Sequence, residues 1–157
     1  MGVSGAGKTQ VGSALAALLR VPFRDADGLH PAANVEKMSA GIPLTDADRW
    51  PWLAIVGSVL AETESLVVAC SALKRSYRDA IRAAASDTAF VHLTVDRDTL
   101  ADRVASRPGH FMPVSLLDSQ LETLEPLESD EAGVTVQSTG EVGATAERVA
   151  AELVSLL

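Results

Sequence analysis

The amino-acid sequence predicts a single α/β domain, residues 1–157, built on a parallel sheet with helices on both faces. Three observations carry this. Short β-branched runs alternate with amphipathic helical stretches, the pattern of successive strand–helix units. The runs SLVVACSA and AFVHLTV carry no acidic or basic residue apart from one histidine, as strands covered on both faces require. The opening stretch MGVSGAGKTQ spells G-x-x-x-x-G-K-S/T, a phosphate-binding loop, directly ahead of a helical pattern.

Each element has its own local reason. Val11, Ala14, Leu15, Leu18 and Leu19 recur at helical spacing, so Lys8 to Leu19 reads as a helix. Val21 to Asp25 is a short strand, weakened at its start by Pro22. Ala26 to Pro31 reads as a loop, and a short helix follows from Ala32 to Ser39, ended by Gly41 and Pro43. Thr45, with Asp48 three residues on, forms a capping box for a long helix to about Glu64. Leu66 to Cys70 is a buried strand, and a helix from the KRSYRD segment runs to about Ala85. Ala89 to Val95 is a strand, Asp96 caps a helix to about Arg107, and RPGHFMP is a loop. Val114, Leu117, Leu121 and Leu124 mark another helix, Gly133 to Gln137 the last strand, and Thr145 to Leu157 the closing helix. This makes four strands, and a fifth if one precedes Gly2. A phosphate loop normally follows a strand. The expectation is therefore that residues upstream of Met1 fill a central slot, or that Met1 to Val3 form a remnant of that strand.

Composition narrows the function. With 21 acidic against 13 basic residues the net charge is −8, which argues against a nucleic acid partner or an anionic membrane surface. No segment has the length of an apolar membrane span, and no signal-peptide pattern opens the chain. The one cysteine, Cys70, excludes an internal disulfide and fits a cytoplasmic location.

The loop residues Gly2, Val3, Ser4, Gly5, Ala6 and Gly7 can turn successive N–H groups toward phosphate oxygens, with the positive end of the next helix behind them. Lys8 reaches the β- and γ-phosphates and the Thr9 hydroxyl ligates Mg²⁺. The guanine-reading N-K-x-D is absent, which argues against a GTPase. Asp25 and Asp27 stand just past a strand, at the sheet edge where ligands bind in open α/β folds. One of these two carboxylates can support the metal, while the other can orient or deprotonate a substrate hydroxyl. Arg49 can clamp a carboxylate with its planar fork. After the second strand, backbone at Ser71 and the cations Lys74 and Arg78 can approach substrate or the transferring phosphoryl group. Arg103 and Arg107 share one helix face leading into RPGHFMP, and the acidic run from Glu122 to Glu131 reads as a solvated helix end. Trp50, Trp52 and Tyr77 read as packing residues.

The blocks GVSGAGKT, DADGLHPAANVEKMSAGIPLTDADRWPWL, CSALKRSYRDAIR and HFMPVSLLDSQLETLEPLESDE, taken in order, resemble the gluconokinase family from Gly2 to about Glu131. The resemblance implies a three-layer α/β/α P-loop kinase fold of the nucleoside monophosphate kinase type, with a five-stranded parallel sheet whose first strand is largely missing from this chain. It implies ATP- and Mg²⁺-dependent phosphorylation of D-gluconate at its 6-hydroxyl, in an enzyme that is often a homodimer. It further implies a substrate-binding helical segment at about 31–64 and a short lid at about 107–113, with Arg103 and Arg107 closing over the phosphates. His30, His110 and Gln120 are implied on the gluconate side. The family usually has D-G-D where this chain has Asp25-Ala26-Asp27, a change that is harmless at negative φ. Two alternatives stand beside this reading: a kinase for another hydroxy acid such as shikimate, and a nucleotide-binding protein without turnover.

Overall fold

The computed structural model describes residues 1–106, 108, 115–138 and 140–156. Helix α1 (Lys8–Leu19) leaves the phosphate loop and leads to strand β1 (Phe23–Asp25). A 3₁₀ turn, Ala26–Leu29, joins β1 to α2 (Ala32–Ser39), and α3 (Asp46–Ala61) follows. Then come β2 (Val67–Ala69), α4 (Arg75–Ala84), β3 (Phe90–Thr94) and α5 (Arg97–Ser106). The chain closes with α6 (Ser115–Thr123), β4 (Gly133–Gln137) and α7 (Val142–Val154). The alternating α/β order expected from the pattern is the order observed. The 3₁₀ turn replaces the expected loop, nucleated by Asp25, whose side chain accepts from the Asp27 amide at 3.0 Å. Ala26 is fully buried and is not among the residues with positive φ, so its methyl costs no backbone strain.

Local chemistry sets the helix ends. Thr45 and Asp48 form the full capping box at the start of α3, and Lys37 of α2 donates to both oxygens of Asp48 at 2.8 Å. That network holds the Asp48 carboxyl at about 2, with the Lys37 bond the leading cause. Asp96 takes the Thr99 amide at 2.9 Å ahead of α5.

The described strands form two parallel pairs rather than one sheet. Phe23 pairs with Val67 and Asp25 with Ala69 in β1–β2; Phe90 pairs with Gly133 and Thr94 with Gln137 in β3–β4. The first residues of the chain stitch the pairs together. The Gly2 amide donates to Ser71 O at 3.1 Å, and Met1 O accepts from the Leu93 amide at 3.0 Å. The Met1 ammonium donates to Val91 O. Met1 to Val3 are buried, and Met1 and Gly2 lie between the two pairs with backbone bonds to one on either side.

Below this junction a cleft of about 930 Å³ separates β2 from β3. Val67 to Cys70 and Phe90 to Leu93 form its two edges, Leu15 of α1 and Val149 of α7 one wall, and Val56 of α3 and Ile81 of α4 the other. Within the two helix pairs, α1 packs on α7 and α3 on α4. The cleft thus has the apolar walls and the flanking backbone edges of a central strand position. Burial in it, with the charge of Lys8 next, lowers the Met1 ammonium to about 5.

A strand supplied to this cleft is expected to stabilise the domain. Each added core side chain contributes roughly 1.5–3 kcal/mol, against roughly 1–2 kcal/mol per residue for ordering backbone. Five Val and Ile residues fused ahead of Met1 should raise Tm by roughly 4–10 °C. Differential scanning calorimetry reads this directly, and an unchanged or lowered Tm would refute the assignment of the cleft.

Candidate active site

The phosphate loop is a tight backbone turn. Gly5 and Gly7 adopt φ of 83° and 89°, left-handed values that side-chain-bearing residues resist. Gly7 is the N-cap of α1, and its carbonyl accepts from the Val11 amide at 2.9 Å. No acidic residue occupies the first turn of α1, so the positive helix end is uncompensated from within the helix. Val3 and Ala6 are buried and anchor the turn, with the Ala6 amide donating to Val3 O at 3.3 Å. Lys8 Nζ donates to Val3 O at 2.9 Å, which folds the ammonium over the loop.

A cavity of about 360 Å³ opens in front of this loop. Ser4, Gly5, Gly7, Lys8 and Thr9 line one side; Asp27, His30, Arg49 and Ser71 line another; Arg103 and Gln120 close a third. Ser138, Gly140 and Val142 also reach it, from the segment joining β4 to α7. The Thr9 hydroxyl donates to Asp25 Oδ2 at 2.6 Å. This pairs a hydroxyl with a carboxylate at the loop mouth, a hard oxygen set of the kind that holds a divalent ion still carrying most of its water. Among the described residues no three His, Cys, Asp or Glu side chains gather to form an all-protein metal cage.

Opposite the loop the walls are aromatic and cationic. Trp52 is fully buried, with its Nε1 donating to Ala26 O at 2.8 Å, and His30 stacks on it at 4.0 Å between ring centroids. Burial, reinforced by the Arg49 charge, lowers His30 to about 4 and keeps it neutral. Arg49 lies 5.4 Å above the Tyr77 ring, and its Nε is buried without a hydrogen-bond partner among the described residues. Tyr77, buried as expected, donates to Asp46, and that bond together with burial pushes its pKa up. Trp50 differs from expectation: it is 41% exposed and meets Tyr77 edge-on. From α5, Arg103 Nη1 donates to Gly5 O at 3.1 Å, placing its guanidinium over the loop. Gln120 of α6 accepts from the Ser4 amide at 2.7 Å.

Two expected ligands take other positions. Arg78 is fully buried and does not line the cavity. Its guanidinium bonds to Glu131 at 2.7 and 2.6 Å and to the carbonyls of Ala72, Glu125 and Pro126 at 3.3, 3.0 and 3.2 Å. A buried cation this fully paired is a structural hub rather than a substrate ligand. Lys74 is bonded to Asp46 at 3.2 Å outside the cavity lining. Gly2, Val3, Ala6 and Asp25 support the loop and Thr9 from behind the cavity surface. Arg107, His110 and the rest of the expected lid, apart from Pro108, lie outside the described residues.

The acidic run is exposed as expected at Glu122, Glu125, Glu128 and Asp130, and departs from that expectation at its last residue. Glu131 is buried, and its Arg78 bond leads in holding it at about 2. Glu128 and Asp130 bind the Arg75 side chain at 2.8 and 2.7 Å, and Glu125 accepts the Arg75 amide at 2.7 Å. No local pattern announces these pairings, because each spans about fifty residues of chain.

Fold and loop together define a phosphate-loop kinase of small substrates. A family model described as "Shikimate kinase" matches residues 4–155. The gluconokinase of Gluconobacter oxydans is 53% identical over 140 residues, covering 87% of this chain and 79% of that one. The thermosensitive gluconokinase of Escherichia coli is 48% identical over 138 residues, covering 85% and 74%. The crystal structure of a gluconokinase from Sinorhizobium meliloti superposes with a TM-score of 0.90 at 50% identity, covering 99% of this chain and 90% of that chain. This chain belongs to the gluconokinase family, within the broader group that the shikimate kinase model describes.

Replacing Glu131 by Gln tests the hub. It leaves the Arg78 charge buried without its counterion and should cost roughly 3–5 kcal/mol in urea unfolding. Below the new Tm, turnover should stay within about threefold, because the pair lies outside the cavity. A loss below about 1 kcal/mol, or a selective loss of substrate affinity, would return Arg78 to the binding site.

Proposed function

We propose that this enzyme transfers the γ-phosphoryl group of ATP to the 6-hydroxyl of D-gluconate, giving 6-phospho-D-gluconate and ADP, in the cytoplasm. The observation that carries the reading is one cavity with a phosphate loop at one side and Asp27, His30 and Arg49 at the other, in a chain of the gluconokinase family.

The amides of Ser4 to Gly7 and the positive end of α1 receive the phosphates. Lys8 exchanges its bond to Val3 O for phosphate oxygens, and Arg103 neutralises charge that builds on the transferring group. Thr9 and Asp25, already bonded to each other, would hold Mg²⁺, which would supply positive charge to offset that of the phosphates. Asp27 accepts the proton of the 6-hydroxyl as its oxygen bonds to the γ-phosphorus and the bond from that phosphorus to the β-phosphate oxygen breaks. Arg49, with its unpartnered buried Nε, receives the gluconate carboxylate. Arg107 and His110 complete the lid and the gluconate side in this reading.

A coupled ADP-release assay over a sugar-acid panel tests the substrate. Gluconate should give the highest kcat/KM, and shikimate no turnover above background; a reversed order refutes the reading. Lys8→Ala should lower kcat by at least about 10²-fold, roughly 2.7 kcal/mol of transition-state stabilisation. Arg49→Ala should raise the gluconate KM at least about tenfold while leaving the ATP KM within about twofold. Equal effects on both substrates would remove Arg49 from the carboxylate role.

A further inference from the structure

Asn34 carries no feature that marks it in the sequence, yet it is 4% exposed and makes two directed bonds. It lies in the first turn of α2, and its Nδ2 donates to Asp48 O of α3 at 2.9 Å. A main-chain carbonyl only accepts, so this bond fixes which end of the amide is nitrogen. The same Nδ2 lies 3.2 Å from His30 Nδ1. An amide nitrogen cannot accept a hydrogen bond, so His30 Nδ1 must present its lone pair to the second Asn34 hydrogen. In a neutral imidazole the one ring proton then resides on Nε2.

The ring has little freedom to escape this state. It stacks on Trp52 with an interplanar angle of 16°, and Trp52 is itself pinned by its bond to Ala26 O. Burial and the facing Arg49 charge keep the ring neutral. Nε2 has no partner among the described residues, and His30 lines the cavity beside Asp27 and Arg49. A neutral ring locked in this tautomer is a donor at Nε2. It is not a base, which leaves Asp27 as the proton acceptor on this wall.

We infer that Asn34 is a positioning residue for substrate recognition: it locks His30 as the Nε2–H tautomer, so that His30 donates a hydrogen bond to an oxygen lone pair of the sugar acid. The inference rests on the gluconate reading for the identity of that oxygen's owner. The tautomer itself is independent of it.

Long-range ¹H–¹⁵N NMR of histidine-labelled protein without ligand reads the tautomer directly. Wild-type His30 should show a protonated Nε2 and an unprotonated Nδ1 at pH 7. Asn34→Asp offers an acceptor instead and should move the proton to Nδ1, leaving Nε2 without one. It should raise the gluconate KM about tenfold or more, with kcat within about threefold and the ATP KM within about twofold. His30→Gln keeps a donor near the Nε2 position and should hold the gluconate KM within about threefold, whereas His30→Leu should raise it about tenfold or more. Should Asn34→Asp fail to fold, the two His30 variants and the wild-type spectrum still decide. An Nδ1–H tautomer or imidazolium in the wild type overturns the inference. So does a gluconate KM that ignores these changes, or one that moves only together with the ATP KM. If wild-type protein with the expected tautomer turns over no gluconate, the substrate reading fails. The inference then stands or falls on whether Asn34→Asp moves the His30 proton.

Discussion

The structure depends on the junction of Met1 and Gly2 with the strands on either side. Two backbone bonds, from the Gly2 amide to Ser71 O and from the Leu93 amide to Met1 O, join halves that otherwise share no strand pairing. The same few residues begin the phosphate loop. Val3 supplies the carbonyl under Lys8, and the Ser4 amide meets Gln120. Sheet continuity and phosphate binding are thus one constraint rather than two. A shift of the β2 half against the β3 half would move Ser71 and Asp25 relative to the loop, since both belong to or follow the strands of the first half.

The second organising principle is the sorting of cations. In a chain of net charge −8, six of the 13 guanidinium and ammonium groups form two contrasting sets. Arg75, Arg78 and Arg82 are consumed by the acidic segment before β4, with Glu131 receiving both Arg78 and Arg82. Lys8, Arg49 and Arg103 line the cavity. Desolvating a cation is tolerable only with full pairing, which is what Arg78 has. Among the cavity cations, Lys8 and Arg103 donate to loop carbonyls and Arg49 lies over the Tyr77 ring.

Much of this was legible in the sequence because its causes are local. The bounds of α1, α2 and β4 coincide with the expected ones, since glycine, proline and periodic apolar residues punctuate them. The Thr45–Asp48 box is a four-residue signal. Ser4, Gly5, Gly7 and Lys8 of the phosphate loop, with Asp27, Arg49 and Arg103, all singled out in the sequence, line one cavity. What escaped is long-range. Arg78 looks like any exposed first-turn arginine until Glu131 arrives fifty-three residues later. Lys74 finds Asp46 across twenty-eight. Asn34 reads as a polar helix position, and its role exists only because α2 and α3 bring His30 and Asp48 to the same amide.

The two sides of the cavity are built with different rigidity, and this has a mechanistic consequence. The substrate wall is tied from one helix to the next: Trp52 of α3 holds the Ala26 carbonyl and the His30 ring, and Asn34 of α2 holds His30 and Asp48. Its donors are placed before any ligand arrives, so little ordering entropy remains to be lost on binding. The phosphate side is held by bonds that a ligand can replace in kind. Lys8 rests on a carbonyl and Thr9 on the Asp25 carboxylate, partners that a phosphate oxygen and a metal ion would replace under the proposed function. Arg103 approaches from α5, the helix that leads toward the expected lid, through a single carbonyl of the loop. Under the proposed function, a substrate-side wall set in advance, facing a phosphate side completed by exchange, would make the orientation of the acceptor hydroxyl a property of the fold. The nucleotide then supplies the remaining charges around the transferring group.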